Sequence, residues 1–270
     1  MNQTNKAKAA ISIITVGLWF ILGQSPDVLT AQVEEVKRRV VKITVEKPGD
    51  VIETGAGIVL STKHQVIYIL TAYHVIEGAQ NITVTFRDRP VTKIAAKLFE
   101  KYDEENDLAV VYIESSVISK EISILHLGDV SKTKELDNVI AIGHPSNNQW
   151  ELSTAVIRAS EPSKFRFSGD AVDPGNSGGA LLNKEFQLIG LITKERPGNG
   201  IALKIDDALE ILKNWQIPYA FEIERRSKKW PWIVAAGGVA AGIATAVILG
   251  GGGGGDGKGT LVITVPDPPN

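Results

Sequence analysis

Residues 173–179 read DPGNSGG, and the apolar run ALL follows at 180–182. Three glycines surround Ser177 immediately before a segment with the composition of a buried strand. Such a stretch can be an ordinary tight turn, because glycine adopts backbone conformations that other residues avoid. It can also hold a serine whose hydroxyl and backbone N–H must both face a substrate. The rest of the sequence decides between the two interpretations.

The bulk composition is that of a globular protein without a dominant charge. The chain has 270 residues, 43% of them hydrophobic and 22% charged, with a net charge of −2, which fits one large or two small domains. This balance gives no argument for nucleic-acid binding. The absence of cysteine excludes disulfides, thiolate metal sites and a cysteine nucleophile. The histidines stand in no metal-ligand spacing, so we predict neither a metal nor a cofactor.

Short strands fill the middle of the chain. Twelve segments rich in Val, Ile, Thr and aromatic residues fall into one set within 40–113 and another within 138–205. The polar stretch 114–137 links the two sets. The spacing predicts an all-β sandwich or barrel, or two small barrels in tandem. Apolar periodicity predicts a helix at 205–215, and a second short helix is predicted at 28–39.

The N-terminus has the features of a secretory signal. Lys6 and Lys8 precede an apolar run at 9–22, and small residues follow it. Residues 1–31 are therefore predicted to be a signal peptide, with an uncleaved N-terminal anchor as the alternative.

A second apolar segment lies near the C-terminus. No residue from 233 to 249 is charged, and Trp230 and Trp232 precede the run. That length is at the short end of what a bilayer requires, and tryptophans are typical of its interfaces. We predict a transmembrane helix at 230–250, since a buried soluble helix would normally show a polar face. A Gly-rich tail follows at 251–270.

Two features bear on orientation and on the tail. The basic run 225–229 lies on the domain side of the predicted helix, which favours the cytoplasm for that side. The export signal argues the opposite, and we place the domain outside the cytoplasm, in the periplasm or at the cell surface. In the tail, LVITV (261–265) could add as a strand to a partner sheet, but a disordered tail is favoured.

Ser177 can act as a nucleophile only if a base takes its proton. His74 is the best candidate because it ends a strongly apolar strand and can face a cleft there. We interpret His64, His126 and His144 as solvated or core residues. An imidazole base needs an orienting carboxylate, and Asp107 directly precedes the apolar strand LAVVYI. By itself Asp107 would be interpreted as a turn residue.

The chain order of these residues is His74, Asp107, Ser177. Chain order separates the unrelated scaffolds that share this triad, and this order is that of the chymotrypsin-like double barrel. The surrounding residues resemble the three signature blocks of trypsin-like serine peptidases. The blocks are TAYHV (71–75), NDLAVV (106–111) and GNSGGALLN (175–183). The stretches GAGIVL (55–60) and IGHP (142–145) resemble the bacterial HtrA/Deg-type branch in particular.

The resemblance implies a fold and a domain organisation. It implies an all-β protease domain at 32–222 with two six-stranded antiparallel β-barrels and a C-terminal α-helix. The barrels would cover about 36–120 and 121–205, and the helix 205–215. HtrA proteases usually carry PDZ domains after the protease. Here the predicted membrane segment follows the domain, so we expect no PDZ-based substrate capture.

The resemblance also implies roles for individual residues. Ser177 would attack the scissile carbonyl, His74 would transfer its proton, and Asp107 would orient the imidazole. The backbone N–H groups of Gly175 and Ser177 would form the oxyanion hole. Together these residues imply a serine endopeptidase acting on proteins or peptides.

Several positions depart from the pattern. Asn176 replaces the aspartate that pairs with a freed N-terminal amine in digestive relatives, so we predict no activation of that kind. Ala171 and Thr193 are assigned to the substrate pocket, and Ala171 lacks the charge that selects Lys or Arg, so a small or apolar P1 residue is expected. Tyr73 stands where relatives usually carry a small residue and is expected to crowd His74.

The predicted function is therefore a membrane-tethered serine endopeptidase in protein quality control or processing. The membrane contact would be made through 230–250, nucleic acid is not an expected partner, and homo-oligomerisation is left open. The alternative is a catalytically silent protease-fold scaffold at the membrane. A weaker third hypothesis makes the tail the functional part and leaves the protease domain to process its own chain.

Overall fold

The computed structural model describes residues 26–63, 66–114, 125–145, 149–169, 175–196, 198–224, 246–247 and 260–264. Helix α1 (Pro26–Arg39) comes first and leads directly into the first strand. The sequence predicted this helix at 28–39. Residues 26–31, assigned above to the leader, form its first part.

Six antiparallel strands close the first barrel in the spatial order β1-β2-β3-β6-β5-β4. A one-turn helix, α2 (Tyr73–Ile76), follows β3. The strands are β1 (Val40–Lys47), β2 (Val51–Lys63), β3 (Val66–Thr71), β4 (Asn81–Thr85), β5 (Ile94–Asp103) and β6 (Leu108–Glu114).

The second barrel is also built from six antiparallel strands. Its sheet runs β11-β8-β9-β10-β13-β12, and pairing of β11 with β12 closes it. The strands are β8 (Asn138–Gly143), β9 (Glu151–Ser160), β10 (Lys164–Gly169), β11 (Ala180–Leu182), β12 (Leu188–Arg196) and β13 (Asn199–Lys204). Helix α3 (Ile205–Asn214) follows β13, with Asp206 and Asp207 in its first turn, where acidic side chains favour the helix dipole. The predicted double barrel and its C-terminal helix are confirmed.

Additional strands extend the second sheet beyond the barrel. Strand β7 (His126–Leu127) pairs in parallel with β12 and with β14 (Ala220–Glu224). Strand β16 (Thr260–Thr264) pairs antiparallel with β14 along its whole length. The tail therefore adds a strand to this chain's own sheet, and the expectation of a disordered tail is wrong for these residues.

The predicted membrane helix falls largely outside the described residues. Residues 1–25, 225–245 and 248–259 are not among them. Ala246–Val247 form strand β15, paired with β16, where hydropathy predicted helix. None of the described helices is both long enough and apolar enough to cross a bilayer.

Side-chain alternation along the strands builds two adjoining cores. Val41 and Ile43 face the interior of the first barrel, whereas Val40 belongs to the core that also fills the second barrel. Because successive residues of a strand point to opposite faces, one strand serves both cores. Phe165 and Phe167 are the largest fully buried side chains of the second core. The two barrels thus share a continuous packed interface.

A matched pair of leucines tests this core. Leu181 of β11 is 0% exposed, whereas Leu136 is 74% exposed. Leu181→Ala removes buried methyl groups and leaves a cavity, so we expect it to lower the free energy of unfolding by about 2–5 kcal/mol. Leu136→Ala should change it by less than about 0.5 kcal/mol. Urea unfolding followed by circular dichroism measures both, and equal losses would contradict the assigned interior.

Candidate active site

The structure brings His74 and Asp107 into direct contact. His74 lies in α2, and its Nδ1 is 2.8 Å from Oδ2 of Asp107. The backbone N–H of His74 donates to the other carboxylate oxygen at 2.9 Å. An ionised carboxylate can only accept hydrogen bonds, so Nδ1 carries the proton and Nε2 keeps a free lone pair. The pair therefore presents a base at Nε2.

The backbone around Asp107 explains why this residue sits at the turn. Asp107 has a positive φ of 55°, in the left-handed region, which aspartate tolerates better than most residues. Its carbonyl accepts the N–H of Tyr73 at 3.1 Å. The turn at Asp107 and helix α2 are thus joined both by a main-chain hydrogen bond and by hydrogen bonds of the Asp107 side chain.

The two side chains differ in their access to water. The side chain of Asp107 is 6% exposed, and that of His74 is 42% exposed. A shielded carboxylate holds the imidazole from behind, while the imidazole itself opens to solvent. This arrangement suits a base that must meet a substrate.

The loop that carries Ser177 bonds to both barrels. The carbonyl of Ser177 accepts the N–H of Ala56, in β2 of the first barrel, at 2.8 Å. On the other side, the N–H of Gly178 donates to the carbonyl of Ile192 in β12 at 2.7 Å. Ser177 is half-buried between these attachments. Its loop is therefore fixed where the barrels meet.

Two glycines of the loop are required by the backbone. Gly175 has a φ of 105° and Gly178 a φ of 81°, values that favour glycine. A Cβ on Gly175 would lie 2.2 Å from the carbonyl oxygen of His144, and one on Gly178 would lie 2.1 Å from that of Ala56. The glycine-rich stretch is therefore a close-approach loop and not an exposed turn.

Contacts around Gly55 place residues 175–179, called here the serine loop, near the histidine helix, which is α2 with His74. A Cβ on Gly55 would meet the Val75 side chain at 2.6 Å and the Ser177 carbonyl oxygen at 3.1 Å. Val75 is the neighbour of His74 in α2. The end of β3 also approaches the serine loop, since Thr71 Oγ1 would lie 2.4 Å from a Cβ on Gly178. The serine loop and the histidine helix thus share one side of β2.

The side chain of Asn176, in the same loop as Ser177, is buried. It is 1% exposed, and its Oδ1 would lie 2.3 Å from a Cβ on Gly143, at the end of β8. A buried carboxylate at this position would require a paired charge, whereas an amide remains neutral.

The other residues singled out in the sequence have the following places. Thr193 is buried in β12, and its hydroxyl donates to the carbonyl of Ile201 at 3.3 Å. Ala171 lies outside the described residues, so the pocket assignment stays a prediction.

The ring of Tyr73 stacks on Tyr102 with centroids 4.5 Å apart. His64 lies outside the described residues, and His126 is half-buried in β7.

Sequence reasoning missed the position of His144 in this site. His144 is 1% exposed, and its backbone N–H donates to the carbonyl of Gly175 at 3.0 Å. Burial lowers the pKa of His144 from 6.5 to about 4; the charge of Lys42 lowers it as well, and the Val41 backbone opposes the shift. The sequence signal was its place directly after the apolar strand VIAIG, which indicates a buried rather than a turn histidine.

Comparisons with known proteins agree with this geometry. Residues 55–191 match the family model described as a trypsin-like peptidase domain. A probable periplasmic serine endoprotease, DegP-like, of Hahella chejuensis is 33% identical over 178 residues, which are 61% of this chain and 36% of the relative. The serine protease Do-like HtrA of Bacillus subtilis is 32% identical over 193 residues, which are 62% of this chain and 41% of the relative. The chain thus spans less than half the length of these curated relatives.

Solved structures share the same architecture. The HtrA-type protease AlgW with tripeptide superposes with a TM-score of 0.58 at 28% identity, covering 68% of this chain and 62% of that one. The serine endoprotease from Yersinia pestis superposes with a TM-score of 0.57 at 26% identity, covering 68% of this chain and 65% of that one.

The buried His144 makes stability depend on pH. Its folded-state pKa of about 4 lies below the ordinary value of 6.5, so between these values the unfolded chain binds a proton that the folded chain does not. We therefore expect the free energy of unfolding to decrease as the pH is lowered through this window. The contribution of this group to the decrease is roughly 3 kcal/mol. Above pH 6.5 its contribution is fully present, and below about pH 4 it is lost.

Urea unfolding of wild type and of His144→Phe between pH 7 and pH 4 measures this contribution. The wild-type slope should exceed that of the variant by about one proton. Parallel pH dependences would show that His144 is not held neutral by the fold.

Proposed function

The chain belongs to the trypsin-like peptidase family, and we propose that it is a serine endopeptidase that cleaves proteins or peptides through Ser177, His74 and Asp107. The observation that supports this most directly is the His74–Asp107 pair. It stands beside a glycine-rich serine loop, across the junction of two barrels. The bonding of Asp107 to both the ring and the backbone of His74 is what an imidazole base requires.

The proposed mechanism assigns one task to each group. Nε2 of His74 takes the proton of the Ser177 hydroxyl as its oxygen attacks the scissile carbonyl. The imidazolium, stabilised by the carboxylate of Asp107, then gives the proton to the leaving amine. Water repeats the sequence on the acyl-enzyme and releases the second product.

The oxyanion hole is proposed to consist of the backbone N–H groups of Gly175 and Ser177. Loss of one donor in such a hole typically costs about 10²–10³ in rate. The left-handed backbone of Gly175 supports the assignment, because it gives the peptide an orientation that other residues rarely reach.

The proposed cellular role rests on the names of the relatives and on the hydropathy near the C-terminus. Relatives are named as periplasmic serine proteases, and we propose that this domain also works outside the cytoplasm, in protein quality control or processing. Within the predicted segment 230–250, the uncharged run that precedes β15, residues 233–245, supports the proposed attachment to a membrane. A catalytically silent scaffold remains the alternative, and the intact His74–Asp107 pair argues against it.

Fluorophosphonate labelling tests the proposed nucleophile. Wild type should be labelled, and Ser177→Ala should not, because the reagent reacts with an activated serine. Ser160→Ala, at the exposed end of β9, is the matched control and should label as wild type does. Equal labelling of all three proteins, or labelling of none, would contradict the proposal.

Peptide hydrolysis extends the test to the carboxylate. We expect Asp107→Asn to lower kcat by about 10⁴ because the histidine then takes the wrong tautomer. Glu105→Gln, an exposed acid-to-amide change in the same turn, should leave kcat within about twofold of wild type. A similar effect of both changes would contradict the role of Asp107.

Specificity is tested with a peptide library varied at P1. Because Ala171 contributes no charge to the proposed pocket, we expect preference for small or apolar P1 residues. Ser177→Ala gives the background to be subtracted. Dominant cleavage after Lys or Arg would overturn the pocket assignment while leaving the triad intact.

A further inference from the structure

A buried pair of rings lies where β8 ends and β9 begins. The backbone N–H of Trp150 donates to Nδ1 of His144 at 3.1 Å. The two rings meet edge to face, with centroids 4.9 Å apart at 84°. Both residues are almost completely buried. We call this pair, His144 and Trp150, the imidazole brace.

The backbone of Trp150 is strained and needs external support. Its φ is 54°, which is a genuine outlier for a bulky residue. Such conformations persist only where the surroundings over-determine them. Here the indole Nε1–H donates to the carbonyl of Val40 in β1 at 2.7 Å. The brace thus fastens the loop of the second barrel to the first.

The other side of His144 supports the serine loop. Its backbone N–H donates to the carbonyl of Gly175 at 3.0 Å. Its carbonyl oxygen lies so close to Gly175 that a Cβ there would be 2.2 Å away. The backbone of His144 therefore holds Gly175 at its carbonyl, next to the Gly175 N–H that is the proposed oxyanion donor.

We propose that His144 is a positioning residue for the oxyanion hole. By accepting the N–H of Trp150, its imidazole bonds to the residue before β9, which the indole in turn bonds to β1, and so holds the His144 backbone beneath Gly175. The proposal rests on the proposed peptidase function. His144 is not a catalytic residue in it, since it acts through Gly175 and does not meet the substrate.

The charge environment keeps the brace in its bonding state. An imidazole accepts at Nδ1 only when it is neutral. Lys42 from β1 disfavours the imidazolium, and the Arg87 guanidinium lies over the Trp150 ring at 5.8 Å from its centroid. The Val41 backbone is the group that favours the charged form. Burial lowers the pKa of His144 to about 4, so its Nδ1 remains a hydrogen-bond acceptor at neutral pH.

Two substitutions at position 144 separate the bond from the volume. His144→Phe keeps a ring in the cavity but removes the acceptor. His144→Asn offers an amide oxygen close to the position of Nδ1. We expect His144→Phe to lower kcat by about 10²-fold, the lower end for loss of an oxyanion donor, with KM within about twofold. His144→Asn should recover kcat to within about fivefold of wild type.

A third variant reaches the brace from its other end. Trp150→Phe keeps the ring and the backbone N–H but removes the indole bond to Val40, and it should lower kcat in the same direction by about tenfold. His126→Phe, the same change in β7, is the matched control and should retain wild-type kcat and KM. Active-site titration with a fluorophosphonate counts competent molecules, so kcat is expressed per folded active site.

The outcomes distinguish this proposal from the proposed function. If wild type shows no Ser177-dependent hydrolysis, both proposals are overturned. If wild type is active and His144→Phe keeps kcat within twofold, the brace proposal alone is overturned. If His144→Phe lowers only the titratable fraction and leaves kcat per site unchanged, His144 is merely structural and the proposal is again overturned. A fall in kcat at constant KM, rescued by His144→Asn, supports it.

Discussion

The hydrogen bond from the Ala56 N–H to the Ser177 carbonyl, 2.8 Å long, is the link on which the site depends. His74 and Asp107 belong to the first barrel, and Ser177 belongs to the second. No secondary-structure element contains all three, so the alignment that the proposed mechanism requires depends on how the barrels dock. Behind this bond the barrels share a core, in which Val40 of one barrel packs with residues of the other.

Within the first barrel, strand register delivers the base and its carboxylate to the same place. Thr71, the last residue of β3, pairs with Ala109 at the start of β6. His74 follows the first position by three residues, and Asp107 precedes the second by two. Antiparallel pairing therefore fixes their proximity before any side chain makes a contact. This is why two short motifs, far apart in the chain, predicted a pair that the structure brings to 2.8 Å.

Other parts of the molecule could not be predicted in this way. Whether His144 is buried depends on β1, roughly a hundred residues earlier in the chain, and the positive φ of Trp150 leaves no trace in composition. The two-residue strand β7 is too short for any periodicity. Hydropathy predicted a helix through residue 246, whereas pairing with β16 makes Ala246–Val247 a strand, because hydropathy carries no information about a distant pairing partner.

The supports of the serine loop share one chemical property, which is that they are neutral. Asn176 and His144 are both buried beneath it, one as an amide and the other as an imidazole that burial keeps uncharged. A buried aspartate at position 176 would need a paired cation, such as a freed N-terminal amine. A buried neutral group needs no such event. On the proposed function, the fold itself would therefore hold the loop without a new charged partner.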